Sequence, residues 1–256
     1  MFTLGKGMNY YGDYHTHTRY SDGIGSVKDN IDAAFQKGLK EIAITEHGPR
    51  NINMSIKRIY DCERDVLKQR EERKDINIIF GVECDILSER GDIDIDKADY
   101  GRFDIMLAGF HRFAIPHSFR DFRRYYVPAI FHFFKWFISD SIIKRNTNAL
   151  IQTIKNHPID IVAHINNRSI VDVKEVARVC ADLGVYIELN SKHINECEPI
   201  IEDMLSVDGV SFIANTDAHF PSRVGAFEKV EQFICRHNMQ DRVVNINNNK
   251  PVFRKR

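Results

Sequence analysis

Cysteine is scarce in this chain, with five residues in 256, at positions 62, 84, 180, 197 and 235. The number is odd and no CxxC or other zinc-site spacing occurs, which argues against a disulfide framework and for a reducing compartment. Cys84, beside Glu83, reads as a core residue. Excess charge is missing too: 36 basic residues balance 36 acidic ones, so no global field draws the protein to nucleic acid or to a membrane. The apolar stretch at residues 127–138 is shorter than the about 20 residues a bilayer requires, and His132 and Lys135 interrupt it. No charged segment followed by an apolar one opens the sequence. Internal repeats, low-complexity tracts and dividing linkers are absent as well. The expectation is a cytoplasmic, single-domain protein over residues 1–256 with no membrane span.

Hydrophobic residues, by contrast, make up 43% of the chain, enough for a large core. Short β-branched runs at residues 11–15, 41–45, 76–82, 105–108, 159–163, 185–189 and 210–214 read as strands. Amphipathic patterns at 27–37, 56–74, 142–156, 173–183, 199–205 and 226–236 read as helices between them. Gly38 and Gly184 directly follow two of these patterns, as left-handed caps do. Seven βα units in series predict a parallel sheet closed into a TIM-like barrel, an architecture that commonly takes about 250 residues.

In such barrels the functional groups sit on the loops at the C-terminal ends of the strands. A set of His, Asp and Glu residues falls there: His15, His17 and Asp22, then His47, Glu83, His111, His164, Asp217 and His219. Side chains two apart on a strand point the same way, so the H-x-H and D-x-H pairs aim two ligands at one point. Any one of these residues has an ordinary reading as a packing or turn residue, as His117, His132, His157, His193 and His237 do. Nine of them on one rim do not, because a buried cluster of that size cannot be satisfied by hydrogen bonds alone. Typical coordination numbers then imply two or three divalent ions, and a shared carboxylate allows two of them to lie about 3.5–4 Å apart.

One stretch breaks the alternation. Residues 110–140 are dense in aromatics and carry Arg112, Arg120, Arg123, Arg124 and Lys135, an excursion over the barrel rim. Its aromatics suit packing on the barrel or on a second subunit, its arginines suit a lid over an anionic substrate, and a membrane-surface helix is a third reading. The basic tail of Lys250, Arg254, Lys255 and Arg256 reads as a solvated terminus.

The motifs together resemble the polymerase and histidinol phosphatase (PHP) family, in the family's order from about Asp13 to Cys235. They are His15-Thr-His17 followed by Ser-Asp22-Gly, then Ile-Thr-Glu-His47, Gly-Val-Glu83, Ala-Gly-Phe-His111, Ile-Val-Ala-His164, Ile-Glu-Leu-Asn190 and Asn-Thr-Asp217-Ala-His219. The resemblance implies a distorted (β/α)7 barrel with a trinuclear site. His15, His17, Glu83 and Asp217 would hold the first metal. The second would share Glu83 and add His111 and His164, and the third would take Asp22, His47 and His219. Asp22 stands where some members have His. Catalytic parts fall to Glu83, Asp217 and His219, and the mixed ligands suit zinc, manganese or iron.

Clustered divalent ions polarise phosphoryl oxygens and lower the pKa of a bridging water from about 15.7 toward 7. The expected reaction is therefore hydrolysis of a small phosphomonoester by a metal-bridging hydroxide, with no covalent protein nucleophile. Arg19, Arg223, Arg112 and Arg168 lie within a few residues of proposed ligands and are candidates to bind the phosphate. A nucleotide or short single-stranded nucleic acid, cleaved as a phosphodiester, is the alternative, since the excursion joins positive charge to stackable aromatics. An amidohydrolase and a non-catalytic metal-binding protein are two further readings. The oligomeric state is not legible in the sequence.

Overall fold

The computed structural model describes residues 7–111, 114, 115, 123 and 139–254. Seven strands run in parallel and pair in sequence order. They are β1 (Gly12–Asp13), β2 (Glu41–His47), β3 (Asn77–Asp85), β4 (Ile105–Gly109), β5 (Ile161–Val162), β6 (Tyr186–Asn190) and β7 (Phe212–Asn215). Six α-helices connect them among the described residues: α1 (Val27–Gln36), α2 (Ile56–Glu72), α3 (Asp140–Asn156), α4 (Val173–Leu183), α5 (Ile201–Leu205) and α6 (Glu228–Arg236). The predicted α/β barrel is the observed fold.

Local chemistry sets the helix ends. Ser26 and Asp29 form a reciprocal capping box at the start of α1. Asp172 caps α4, and Gly184 (φ 65°) closes it in the left-handed conformation that the sequence predicts. The strand boundaries differ from the sequence reading at both extremes. β1 shrinks to two residues, whereas β2 and β3 run on through His47 and Glu83, so these two polar residues lie within strands.

Two cores result. A small cluster of Tyr14, Ala43, Ile79, Ile105, Leu107, Ile161, Ala163 and Ile213 fills the barrel interior, and a far larger one packs the strands against the helices. The interior is tight at Gly81, where a Cβ would collide with Ile105 and Thr45. The seam between β1 and β7 is closed at one end by a parallel bridge between Thr16 and Ala218. At the other, buried Asn245 donates to the carbonyls of Gly12 (3.1 Å) and Ala214 (2.7 Å). Buried Asp13 reinforces the seam by accepting from the Thr216 amide and hydroxyl and from the Gly225 amide.

The described part of the basic tail is not a solvated terminus. Lys250 reaches buried Glu41 at 2.6 Å, and the Arg254 backbone N–H donates to Asp160 at 2.7 Å. The reason is apolar: Phe253 stands edge-on to Tyr14, with ring centroids 5.1 Å apart, and covers the floor of the barrel. Phe253→Ala is expected to cost about 2 kcal/mol, read as a lower urea midpoint with an unchanged m-value. The excursion at 110–140 lies mostly outside the described residues, as do Arg112 and the two terminal residues. No helix among the described residues is long and apolar enough to cross a membrane, and all five cysteines are free thiols.

Candidate metal centre

Strand periodicity brings the polar residues to one end of the barrel. Stepping by two from interior residues Ala43 and Ile79 reaches His47 and Glu83, which stand opposite each other in the β2–β3 register. The same step from Ile213 passes Asn215 and arrives at Asp217, whose φ of 52° turns the chain off the strand. His164 also has positive φ, 27°. Gly109 makes room for it, since a Cβ there would stand 2.8 Å from His164 Cε1.

Glu83 is the hub. Its Oε1 lies 3.3 Å from His15 Nε2, 2.9 Å from His111 Nε2 and 2.7 Å from His164 Nε2. Its Oε2 lies 3.4 Å from His17 Nε2 and 3.0 Å from His47 Nδ1. Asp217 Oδ1 adds a second carboxylate 3.5 Å from His17 Nε2 and 3.3 Å from His219 Nδ1. On the outer side, Asp22 Oδ2 is 3.4 Å from His47 Nε2 and 3.3 Å from His219 Nε2. The structure thus gathers all nine residues that the sequence proposes as ligands.

Whether these residues suit metal ions is decided by their outer partners. Glu188 engages His15 Nδ1 at 2.7 Å, and Asp85 engages His111 Nδ1. Each carboxylate fixes the proton on Nδ1 and leaves the Nε2 lone pair facing the centre, as metal-binding histidines require. Those nitrogens then meet others at close range: His15 Nε2 is 3.1 Å from His17 Nε2, and His111 Nε2 is 3.2 Å from His164 Nε2. His47 Nδ1 and Glu83 Oε2, both buried, lie 3.0 Å apart without making a hydrogen bond and have no other hydrogen-bond partner, a costly state for buried polar atoms. Converging lone pairs and orphaned atoms fit divalent cations. Three groups, His15–His17–Glu83, His47–Glu83–His111 and His17–His47–His219, each have ligand atoms within 4.8 Å of one another.

Without cations the charges are held by proton uptake. Burial pulls the His15 imidazole down, but Glu188, Glu83 and Asp217 outweigh it and hold it well above its usual value. The same contest puts His47 well above and His111 at about 9, Glu83 being the strongest opposing charge in both. His17, buried among the other imidazoles, is pushed down to about 3. Burial alone would raise Glu83 and Asp217, yet the surrounding histidines keep both well below the usual carboxylate range.

The centre opens into a cavity of about 190 Å³. Arg168 lines it, together with Lys192, His193, Asn51, Asn53 and Asn167. Arg19 and Arg223 are exposed and stand outside the cavity wall. Lys192 Nζ lies 3.4 Å from Asp217 Oδ2 and 3.4 Å from His219 Nδ1, and His193 Nε2 lies 3.7 Å from Asp217 Oδ2. Sequence reasoning passed over Lys192 and gave His193 an ordinary packing role. It passed over Asp85 and gave no role to Glu188 or Glu46, which stand inside the motifs ending at Asn190 and His47; the buried Glu46 holds the loop carrying Asp22 by accepting from Thr18 and Ser21. For Glu188 the available signal was a lone carboxylate inside an apolar strand.

A family model for the PHP domain matches residues 13–192. The chain belongs to the PHP domain family. Its relatives include the probable phosphatase of Caldanaerobacter subterraneus subsp. tengcongensis, 28% identical over 241 residues that cover 91% of this chain and 85% of that one. A probable phosphatase of Proteus mirabilis is 27% identical over 233 residues, covering 87% and 84%. Among solved structures, histidinol phosphate phosphatase from Lactococcus lactis subsp. lactis, complexed with zinc, L-histidinol and phosphate, superposes with a TM-score of 0.57 at 17% identity, over 89% of this chain and 93% of that one. That likeness establishes the barrel shared with PHP-type phosphatases.

Proposed function

We propose that this PHP protein is a metal-dependent phosphatase that hydrolyses a small phosphomonoester at the rim of the barrel. The observation that carries this reading is the convergence of nine imidazoles and carboxylates around Glu83, with Arg168 and Lys192 on the wall of the same cavity. The chain is a phosphoric ester hydrolase of the same family as the probable phosphatases it resembles.

His15, His17, Glu83 and Asp217 would hold one divalent ion, Glu83, His111 and His164 a second, and Asp22, His47 and His219 a third. Zinc, manganese and iron all suit this mixture of imidazole and carboxylate. When bound, such ions supply Lewis acidity toward phosphoryl oxygens and lower the pKa of water toward neutrality. The chain's own part is to bind and orient. Arg168 offers a planar fork to phosphate oxygens, and the Lys192 ammonium, beside Asp217 and His219, adds a point charge on the same wall. The cavity has room for a small phosphorylated head group. The complex of the Lactococcus protein with L-histidinol and phosphate supports placing amino-alcohol phosphates first among the substrates to try.

Inorganic phosphate release from a panel of phosphomonoesters by manganese- and zinc-loaded protein tests this reading. The panel includes histidinol phosphate and nucleoside monophosphates. Release that His15→Ala abolishes is the expected result. A loaded protein that releases no phosphate from any monoester, yet cleaves a phosphodiester or a short oligonucleotide, would transfer the assignment to phosphodiester hydrolysis.

A further inference from the structure

We propose that Glu188, which is not among the nine converging residues, is the positioning residue that locks two separate parts of the metal centre in register. The inference rests on the metal-binding reading above and adds a requirement that the ligands alone do not impose.

Glu188 sits in β6, fully buried, and its carboxylate has four donors around it. Oε1 accepts from His15 Nδ1 (2.7 Å) and Asn215 Nδ2 (3.0 Å). Oε2 accepts from the backbone N–H of His164 (2.8 Å) and from Asn190 Nδ2 (2.9 Å). A carboxylate offers about four lone-pair directions, so this one is saturated and both of its oxygens must accept. One residue thereby ties the ends of β1, β5, β6 and β7. Two of its four contacts reach proposed ligands that share no metal, the His15 ring and the His164 backbone.

The two contacts do different work. At His15 the carboxylate fixes the proton on Nδ1 and frees Nε2. At His164 it holds a peptide N–H in a left-handed backbone conformation that a non-glycine residue adopts only when its surroundings enforce it. That placement sets His164 Nε2 at 2.7 Å from Glu83 Oε1. Asp85 offers a contrast, because its side chain meets only the His111 ring among the ligands.

Glu188→Gln keeps the shape and removes one acceptor. The amide NH2 must then face one of the two donor pairs. A peptide N–H cannot reverse its role, whereas an imidazole can, so the NH2 turns to His15. His15 is forced to accept at Nδ1 and to carry its proton on Nε2, where no metal can then bind.

Zinc titration by calorimetry, metal counting and 15N spectra of labelled histidines on wild type, Glu188→Gln and Asp85→Asn test the proposal. For Glu188→Gln we expect zinc affinity to fall about 10–100-fold at the position reported by the His15 resonance, which the NH2 faces, and to hold at the position reported by His164, whose N–H keeps a carbonyl acceptor, with an unchanged circular dichroism spectrum. His15 should show an Nε2–H signature that a purely structural loss would not produce. Asp85→Asn should weaken one position only. Glu188→Gln with wild-type affinity at the His15 position overturns the proposal. Wild type that binds no zinc refutes the metal centre itself, a different result. Glu188→Asp, measured alongside, keeps both acceptors but draws them back by one methylene from both donor pairs; it should weaken both positions, and unaltered zinc binding by it, or loss at one position alone, overturns the proposal.

Discussion

Glu83→Gln is expected to lower kcat/KM for phosphate release on the order of 10³-fold or more, beyond the ~10–100-fold that follows loss of an outer partner of a ligand. Both Glu83 oxygens face imidazoles, three on one side and two on the other, within 3.4 Å. Glutamine would turn an NH2 toward one of those groups and remove the single negative charge that five rings share. The loss should be accompanied by metal release. Steady-state kinetics and metal content measured on the same preparation decide the matter, and a Glu83→Gln protein that keeps its metal and more than a tenth of its activity would contradict the central place given to this carboxylate.

Metal removal should have the second large effect, and its size should depend on pH in a definite direction. In the metal-free protein His111 titrates at about 9, raised from about 6.5 by Glu83 and Asp85 in spite of burial. A raised histidine contributes stability that is fully present below about pH 6.5 and is lost as pH rises through about 9. Metal binding runs the other way, because it needs the proton-free imidazole and so tightens over the same interval. Metal at 100 times its Kd adds about 2.7 kcal/mol per site, which corresponds to roughly 5–10 °C in Tm for a chain of this size. The gap in Tm between metal-loaded and chelator-treated protein should therefore widen from pH 6.5 to pH 9. Thermal scans at three pH values measure it, and a gap that narrows with rising pH would mean that these histidines are not protonated in the metal-free state.

Most of the centre was legible because every proposed ligand but Asp22 lies on or a few residues beyond an apolar strand, where a period of two fixes side-chain direction. His47, Glu83 and Asp217 needed no long-range information. The outer partners were hidden for a related reason: Glu188 lies inside a run that reads as ordinary strand and Asp85 just past the end of another, and their meaning appears only when a histidine from another strand is set beside them. The cationic wall was the least legible part. An arginine on a loop can point anywhere, so nearness in sequence put Arg19, Arg223, Arg112 and Arg168 forward alike, while among the described residues only Arg168 of the four lines the cavity, beside Lys192, which follows a strand bearing none of the nine. The tail was misread because its attachment, Lys250 to Glu41, spans most of the chain.

The seam between β1 and β7 also bears on how the chain reaches this state. Asn245 joins Gly12 across 233 residues of sequence and Thr216 joins Asp13 across 203. Contacts of such separation reward the chain only after a long loop has closed, and they place folding among the slower topologies. His15 and Asp217 flank that same seam, with His15 Nε2 3.9 Å from Asp217 Oδ1. Any ion that needs both can be captured only once the last strand has docked, so metal should slow unfolding far more than it speeds folding.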